Sequence, residues 1–206
     1  MHEIRRVPID EFVERLRAIP AERFMRERVL QEMSSLLLER DSLERYCHFI
    51  PERYTRNKVF RNDLFEVILL CWGVGHRTPI HNHDNQHGWM SVQRGMLTLQ
   101  NYRRVACGMG GPGDDPRRCK AGSQAPVLLE ETSHIDIASV GAICTVDRQE
   151  TIHEIANLEA FGEPAISLHV YSHPIDSCVV YDLANRSCER VQLSYYSEGG
   201  RVVAPA

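Results

Sequence analysis

Two histidines one residue apart, His81-Asn82-His83, are the part of this 206-residue sequence best suited to chemistry. On a β-strand, residues i and i+2 project from one face. The pair can therefore offer two imidazoles to one cation with little entropy lost in aligning them. A third ligand has to come from elsewhere. His153, in TIHEIAN, lies just past an ICTV run and four residues before Asn157, and a closed barrel brings strands that far apart in sequence side by side. A single HxH arises by chance, and a lone histidine is more often a surface or satisfied core residue. Gly75 and Gly95 on either side, the β-rich setting and the later HxxxN set this one apart. Asp84 and Glu154 adjoin the candidate ligands, so on a strand they face away, and both read as solvated acids. Imidazoles suit iron and zinc alike, so residue type alone leaves the metal open.

A second group is Ser167, His169 and Tyr171 in SLHVY, which share one face of a predicted strand. On pattern alone this is a half-buried strand in which polar residues alternate with Leu168 and Val170.

The elements that must position these residues fall into two parts. Ile9, Phe12, Val13 and Leu16 recur at helical spacing, with Asp10 as N-cap and Pro20 as stop. Phe24, Met25, Val29, Leu30, Met33, Leu36 and Leu37 repeat the pattern over a second helix. From about Tyr54 short β-rich runs take over: 65–72, 89–93, 96–102, 126–131, 143–146, 165–171, 178–183 and 189–196. Residues 107–122, rich in Gly and Pro, predict an exposed loop. Helices followed by many short strands indicate a mainly β protein, a small β-barrel or jelly roll with N-terminal helices packed on one side. One domain over 1–206 is expected, with 1–50 as the helical segment and 54–197 as the barrel.

The net charge of −4 and a pI near 6.2 give no reason to expect nucleic acid or an anionic membrane as partner. No stretch approaches the roughly 18 apolar residues of a membrane span, and the first residues carry charges where an export signal needs an apolar run. The seven cysteines are scattered and never spaced as CxxC, which fits reduced thiols in a cytoplasm rather than a disulfide framework or zinc ribbon. A monomer acting on a small molecule is expected.

The segment from Gly75 to Gly95 resembles the first cupin motif, G-x5-HxH-x3,4-E-x6-G, and His153-EIA-Asn157 resembles part of the second. Gly88 stands where that motif places its glutamate ligand, so three neutral histidines are expected, His81, His83 and His153. Three-histidine cupins of this wording resemble the cysteine dioxygenase family. The likeness covers about 54–197 through YTRN, ILLCWGVGH, HNHDNQH, HE and EPAISLHVYSHPIDSC, and is weaker in the N-terminal helices. It implies one Fe(2+) per chain and oxidation of the L-cysteine thiol to the sulfinate by O2. It also implies that Arg56 receives the substrate carboxylate, that Tyr54 and Trp72 lie near the pocket, and that Ser167, His169 and Tyr171 form a relay ending at the iron. Cys178 matches a cysteine at the pocket mouth. His76, His87 and His134 have no assigned role. Two departures stand out. Animal members carry at the Gly88 position a cysteine cross-linked to the tyrosine matching Tyr171, which Gly88 forbids, as in bacterial members. Ser172-His173-Pro174 replaces a family SPP, and without proline a trans Ser172–His173 bond is expected.

The nearest alternative is the same chemistry on 3-mercaptopropionate. In that branch of the family a glutamine stands at the Arg56 position, so the arginine favours cysteine. A non-catalytic metal- or ligand-binding cupin, and a zinc or manganese cupin acting as hydrolase or isomerase, are the readings from other classes.

Overall fold

The computed structural model describes residues 5–107, 127–137, 140–146 and 151–203. Apart from Cys107, the expected loop at 107–122 lies outside them. The helices are α1 (Ile9–Arg17) and α2 (Arg26–Ser34). The strands are β1 (Arg5–Val7), β2 (Leu36–Leu38), β3 (Thr55–Arg61), β4 (Glu66–Trp72), β5 (Ile80–His81), β6 (Gly88–Arg94), β7 (Leu97–Cys107) and β8 (Val127–Ile137). They continue as β9 (Ile143–Val146), β10 (Ile152–Ala156), β11 (Ala165–Tyr171), β12 (Ser177–Asp182), β13 (Ser187–Gln192), β14 (Ser197–Glu198) and β15 (Arg201–Val202).

Two mostly antiparallel sheets make the body. One runs β15-β14-β3-β4-β11-β6-β9, the other β13-β12-β5-β10-β7-β8. Strands β4 and β11 sit mid-sheet and are buried on both faces, which is why EVILLCW and AISLHVY read as near-continuous apolar runs. Their alternation sorts the residues. Val67, Leu69, Ile166, Leu168 and Val170 pack outward against Phe12, Leu16, Val29 and Met33 of the helices. Ile68, Leu70, Trp72 and Tyr171 point inward and join Leu97, Leu99 and Ile155 of the second sheet. The helices therefore cover one side of one sheet, as expected, and the site lies between the sheets.

Several boundaries differ from those the sequence suggested. The N-cap of α1 is Pro8, which supplies a fixed φ and needs no donor there, so Asp10 falls in the first turn, where its charge suits the helix dipole. The second helix is shorter than its apolar pattern. Met25 is its N-cap, and Leu36–Leu38 form β2, paired in parallel with β1. Leu36 and Leu38 still face the core, which is why the helical spacing ran through them. The 189–196 run ends as a strand at Gln192, β7 and β8 extend well past their apolar runs, and β3 was not anticipated as a strand.

Candidate metal centre and its cavity

Strand β5 is only two residues long, yet it places the first ligand. His81 pairs with His153 of β10 on one side and Val180 of β12 on the other. Directly opposed residues on antiparallel strands bring their side chains within about 5 Å, so His81 and His153 meet across a ladder rung. His153 thus sits within a strand of its own rather than just past β9. His83 does not lie on the strand with His81, as the HxH pattern suggested. The strand ends at His81, although the Asn82 amide still donates to the Val179 carbonyl at 3.0 Å. The Asn82 side chain accepts from the Val179 amide at 2.9 Å, and Asp84 and Asn85 adopt left-handed backbone at φ 52° and 66°. His83 stands between this clamp and the turn, its ring beside the other two. Asp84 is held by two hydrogen bonds from Arg190, at 2.8 and 2.9 Å, and Glu154 faces Arg77 at 3.3 Å. Neither acid joins the triad, as the sequence suggested, and each is paired with an arginine.

One nitrogen from each of His81, His83 and His153 lies within 4.8 Å of the others. Ring centroids are 4.7 to 5.0 Å apart. His81 Nδ1 is 2.9 Å from the Pro79 carbonyl, which fixes the proton on Nδ1 and leaves Nε2 free to donate a lone pair. His153 is buried and neither ring nitrogen has a protein hydrogen-bond partner. A buried imidazole left so costs about 1–3 kcal/mol, a cost that coordination removes. Burial, before any other cause, lowers all three imidazoles, His81 to about 4 and His83 and His153 well below the usual histidine value. They are neutral and ready to bind at physiological pH. A divalent transition ion fits this donor set.

The same shifts give a stability prediction. Unfolded histidines protonate near 6.5 and the folded ones well below it, so the unfolded chain binds more protons as pH falls through 6.5. Thermal melts of metal-free protein should lose Tm between about pH 6.5 and 5, above the range of most carboxylates. A flat profile there would contradict the buried neutral triad.

Beside the triad lies a cavity of about 70 Å³ lined by Tyr54, Arg56, His81, His83, Tyr171 and Cys178, among others. Arg56 reaches it from β3. Its charged partner is the fully buried Glu66, 3.7 Å away, and its Nε has no hydrogen-bond partner. Glu66 is held by the Tyr195 hydroxyl at 2.5 Å and the Ile175 amide at 3.4 Å. The Arg56 guanidinium also lies over the Tyr195 ring, 5.8 Å from its centroid. Glu66 and Tyr195 were not singled out from the sequence. A glutamate inside the apolar FEVILLCW run was the available signal. Cys178, on β12, is pushed up to about 11 chiefly by burial, so it stays a thiol.

From the other sheet, β11 presents Ser167, His169 and Tyr171 inward as one hydrogen-bonded row. Trp72 Nε1 donates to Ser167 Oγ at 2.9 Å, Ser167 Oγ lies 2.8 Å from His169 Nε2, and His169 Nδ1 lies 3.3 Å from the Tyr171 hydroxyl. An indole can only donate. With Ser167 donating to His169 Nε2, the imidazole proton sits on Nδ1 facing the Tyr171 oxygen, and Tyr171 keeps its own proton to donate into the cavity. Burial raises the Tyr171 phenol above its usual range and lowers His169 to about 3, so both are neutral. Trp72 does not line this cavity. It stacks behind Tyr54, centroids 4.8 Å apart, and anchors the row.

Gly88 pairs with Tyr171 across β6 and β11, and a Cβ there would lie 3.2 Å from the tyrosine Cε1 and 2.6 Å from Val146 Cγ2. The described peptide bonds are all trans, Ser172–His173 included. Asn157 ties the loop after β4 to β10. Its side-chain amide donates to the Gly73 and Glu163 carbonyls at 3.2 and 2.9 Å, and its carbonyl accepts from Gly75, whose φ of 84° makes the turn. His76 accepts from the Gly73 amide in that loop at 2.8 Å.

The profile of the family described as Cysteine dioxygenase type I matches residues 9–184. Cysteine dioxygenase type 1 of Homo sapiens is 29% identical over 156 residues, which is 75% of this chain and 68% of that one. The Danio rerio protein of the same description is 30% identical over 161 residues, 76% of this chain and 69% of that one. A solved Klebsiella pneumoniae protein with a double-stranded β-helix domain covers 64% of this chain and 86% of its own at 16% identity and a TM-score of 0.39.

Proposed function

From the premise that the chain belongs to the cysteine dioxygenase type I family, we propose that this thiol dioxygenase acts on free L-cysteine, with iron held by His81, His83 and His153. When bound, a ferrous ion supplies the place where the thiol loses its proton and meets dioxygen, and the sulfur's own electrons reduce both oxygen atoms, so no organic cosubstrate is needed. The observation that carries the substrate class is Arg56. A guanidinium with an unused donor faces the same 70 Å³ cavity as the histidines, and its planar fork suits a carboxylate. Glu66 and Tyr195 would hold that fork in place without filling it.

Arg56 grips the carboxylate end, Tyr54 packs beside it, and the thiol end is directed to the triad. Tyr171 donates its hydroxyl proton toward oxygen at the reacting sulfur, steadied by His169, Ser167 and Trp72. Fixed reactants of this kind gain their rate from orientation. Tyr171→Phe is expected to lower kcat by about 10²-fold or more while iron content, measured by metal analysis, stays at the wild-type level. Full turnover in that variant would remove the hydroxyl from the mechanism. Gly88 offers no sulfur for a thioether, so Tyr171 works unmodified.

The enzyme is best placed in the cytoplasm as a single-domain monomer. Among the described residues Cys47, Cys71, Cys144 and Cys178 are free thiols, and no helix is long and apolar enough to cross a membrane. Turnover under ¹⁸O₂ tests the reaction: cysteine should give a sulfinate carrying two labelled oxygens. Disulfide or a singly labelled product would overturn it.

A further inference from the structure

A second, smaller cavity of about 20 Å³ touches the triad from another side. His81 lines only the larger cavity and His153 only the smaller, while His83 and Tyr171 line both. These two rings are stacked, centroids 5.9 Å apart, and form the wall between them. The rest of the small cavity is almost wholly apolar, with Met90, Leu99, Cys144, Val146 and Ile155 closing it beside Gly88.

Its size and lining narrow the occupant. About 20 Å³ admits one water or one diatomic molecule and no organic thiol. A water needs 2–4 polar partners to be held in a protein interior, and apolar cavities stay dry and take apolar guests such as xenon. Both nitrogens of His169 are already engaged, and Tyr171 turns its ring edge toward Gly88. His83 and His153 direct a nitrogen each toward the common point of the triad. The second nitrogen of His153, also unpartnered, is a single polar contact where a held water needs at least two, and the rest of the wall is carbon and sulfur. Gly88 also has a steric reason, since any Cβ would drive into Val146 and crowd the Tyr171 ring.

We propose that this cavity is a dioxygen site, holding the gas beside His83 and His153 while the thiol occupies the Arg56 side. The proposal rests on the thiol dioxygenase reading. It gives the two substrates separate seats on either side of the His83–Tyr171 wall, so a bound thiol does not block the entry of oxygen. Dioxygen is apolar and small, and a dry pocket concentrates it at the reacting centre.

The test is xenon pressurisation of crystals of the iron-loaded protein, with oxygen kinetics on two filling variants. Val146→Ile adds one methyl to the wall nearest Gly88, and Leu99→Phe fills from the opposite sheet. The expected result is a xenon atom in the wild-type cavity, none in either variant, and a KM for O2 raised at least about fivefold with the KM for cysteine unchanged. Normal turnover with no xenon there, a water that xenon does not displace, or an unchanged KM for O2 in a variant shown crystallographically to be filled would overturn the oxygen site alone. Xenon in the cavity of a protein that consumes oxygen with no thiol would instead remove the reading on which the proposal stands.

Discussion

His153→Ala is expected to abolish stoichiometric iron binding and to lower thiol-dependent oxygen uptake by about 10²-fold or more, since losing even an outer partner of a metal ligand costs 10- to 100-fold. The reason is geometric. His153 is opposed to His81 across the β5–β10 ladder and has no other protein partner for either ring nitrogen. With it gone, two imidazoles remain, and no acid among the described residues stands close enough to replace it. The fold should survive, because β10 keeps its five-residue pairing with β7 and alanine removes a buried polar ring that the apoprotein leaves unsatisfied. Metal analysis and circular dichroism on the same sample separate the two effects. Wild-type iron content in this variant would dismiss the triad.

The second large effect is expected at Arg56. Arg56→Ala should raise the KM for cysteine by about 10²-fold, the loss of two charge-assisted hydrogen bonds of about 1.5–3 kcal/mol each, partly offset by water. Cysteamine, which lacks the carboxylate, should change little. Glu66 keeps two hydrogen-bond partners in this variant. Burial already raises its carboxyl, and the Arg56 charge is one of the groups opposing that rise. Without the guanidinium its carboxyl rises further, while the Tyr195 hydroxyl and the Ile175 amide stay nearby. The variant should therefore fold, and equal losses on cysteine and cysteamine would count against carboxylate recognition.

The chemistry of the site was more legible in the sequence than its construction. His81, His83 and His153 are readable because metal binding needs those residue types and a glycine-punctuated β context. Strand alternation puts Ser167, His169 and Tyr171 of SLHVY on one face, but alone reads as a half-buried strand, and only the family resemblance implied the row that the structure finds hydrogen bonded. What did not show was the turn. The HxH pattern puts both imidazoles together, as the structure does, but the strand ends at His81, and His83 is flanked by the Asn82 clamp and the left-handed pair Asp84 and Asn85. Side chains of that kind act through backbone groups far away in sequence, Val179 in this case, and no local period encodes them. The same holds for Glu66 and Tyr195, which meet across 129 residues. Leu36 and Leu37 misled for the opposite reason: apolar spacing near 3.6 continued across the end of α2 into β2, where Leu36 and Leu38 are buried against the same core.

Trp72, which the resemblance puts near the pocket, stands behind Tyr54 with its indole proton given to Ser167. From there it anchors the row without lining the larger cavity.

Oxygen uptake by the Fe(II)-loaded protein with cysteine, 3-mercaptopropionate and cysteamine in parallel tests the account most directly. The expected result is the highest kcat/KM for cysteine, with cysteamine weakened by the missing carboxylate and 3-mercaptopropionate by the missing amine. A higher kcat/KM for 3-mercaptopropionate, or no thiol-dependent uptake by protein with one iron per chain, would contradict it.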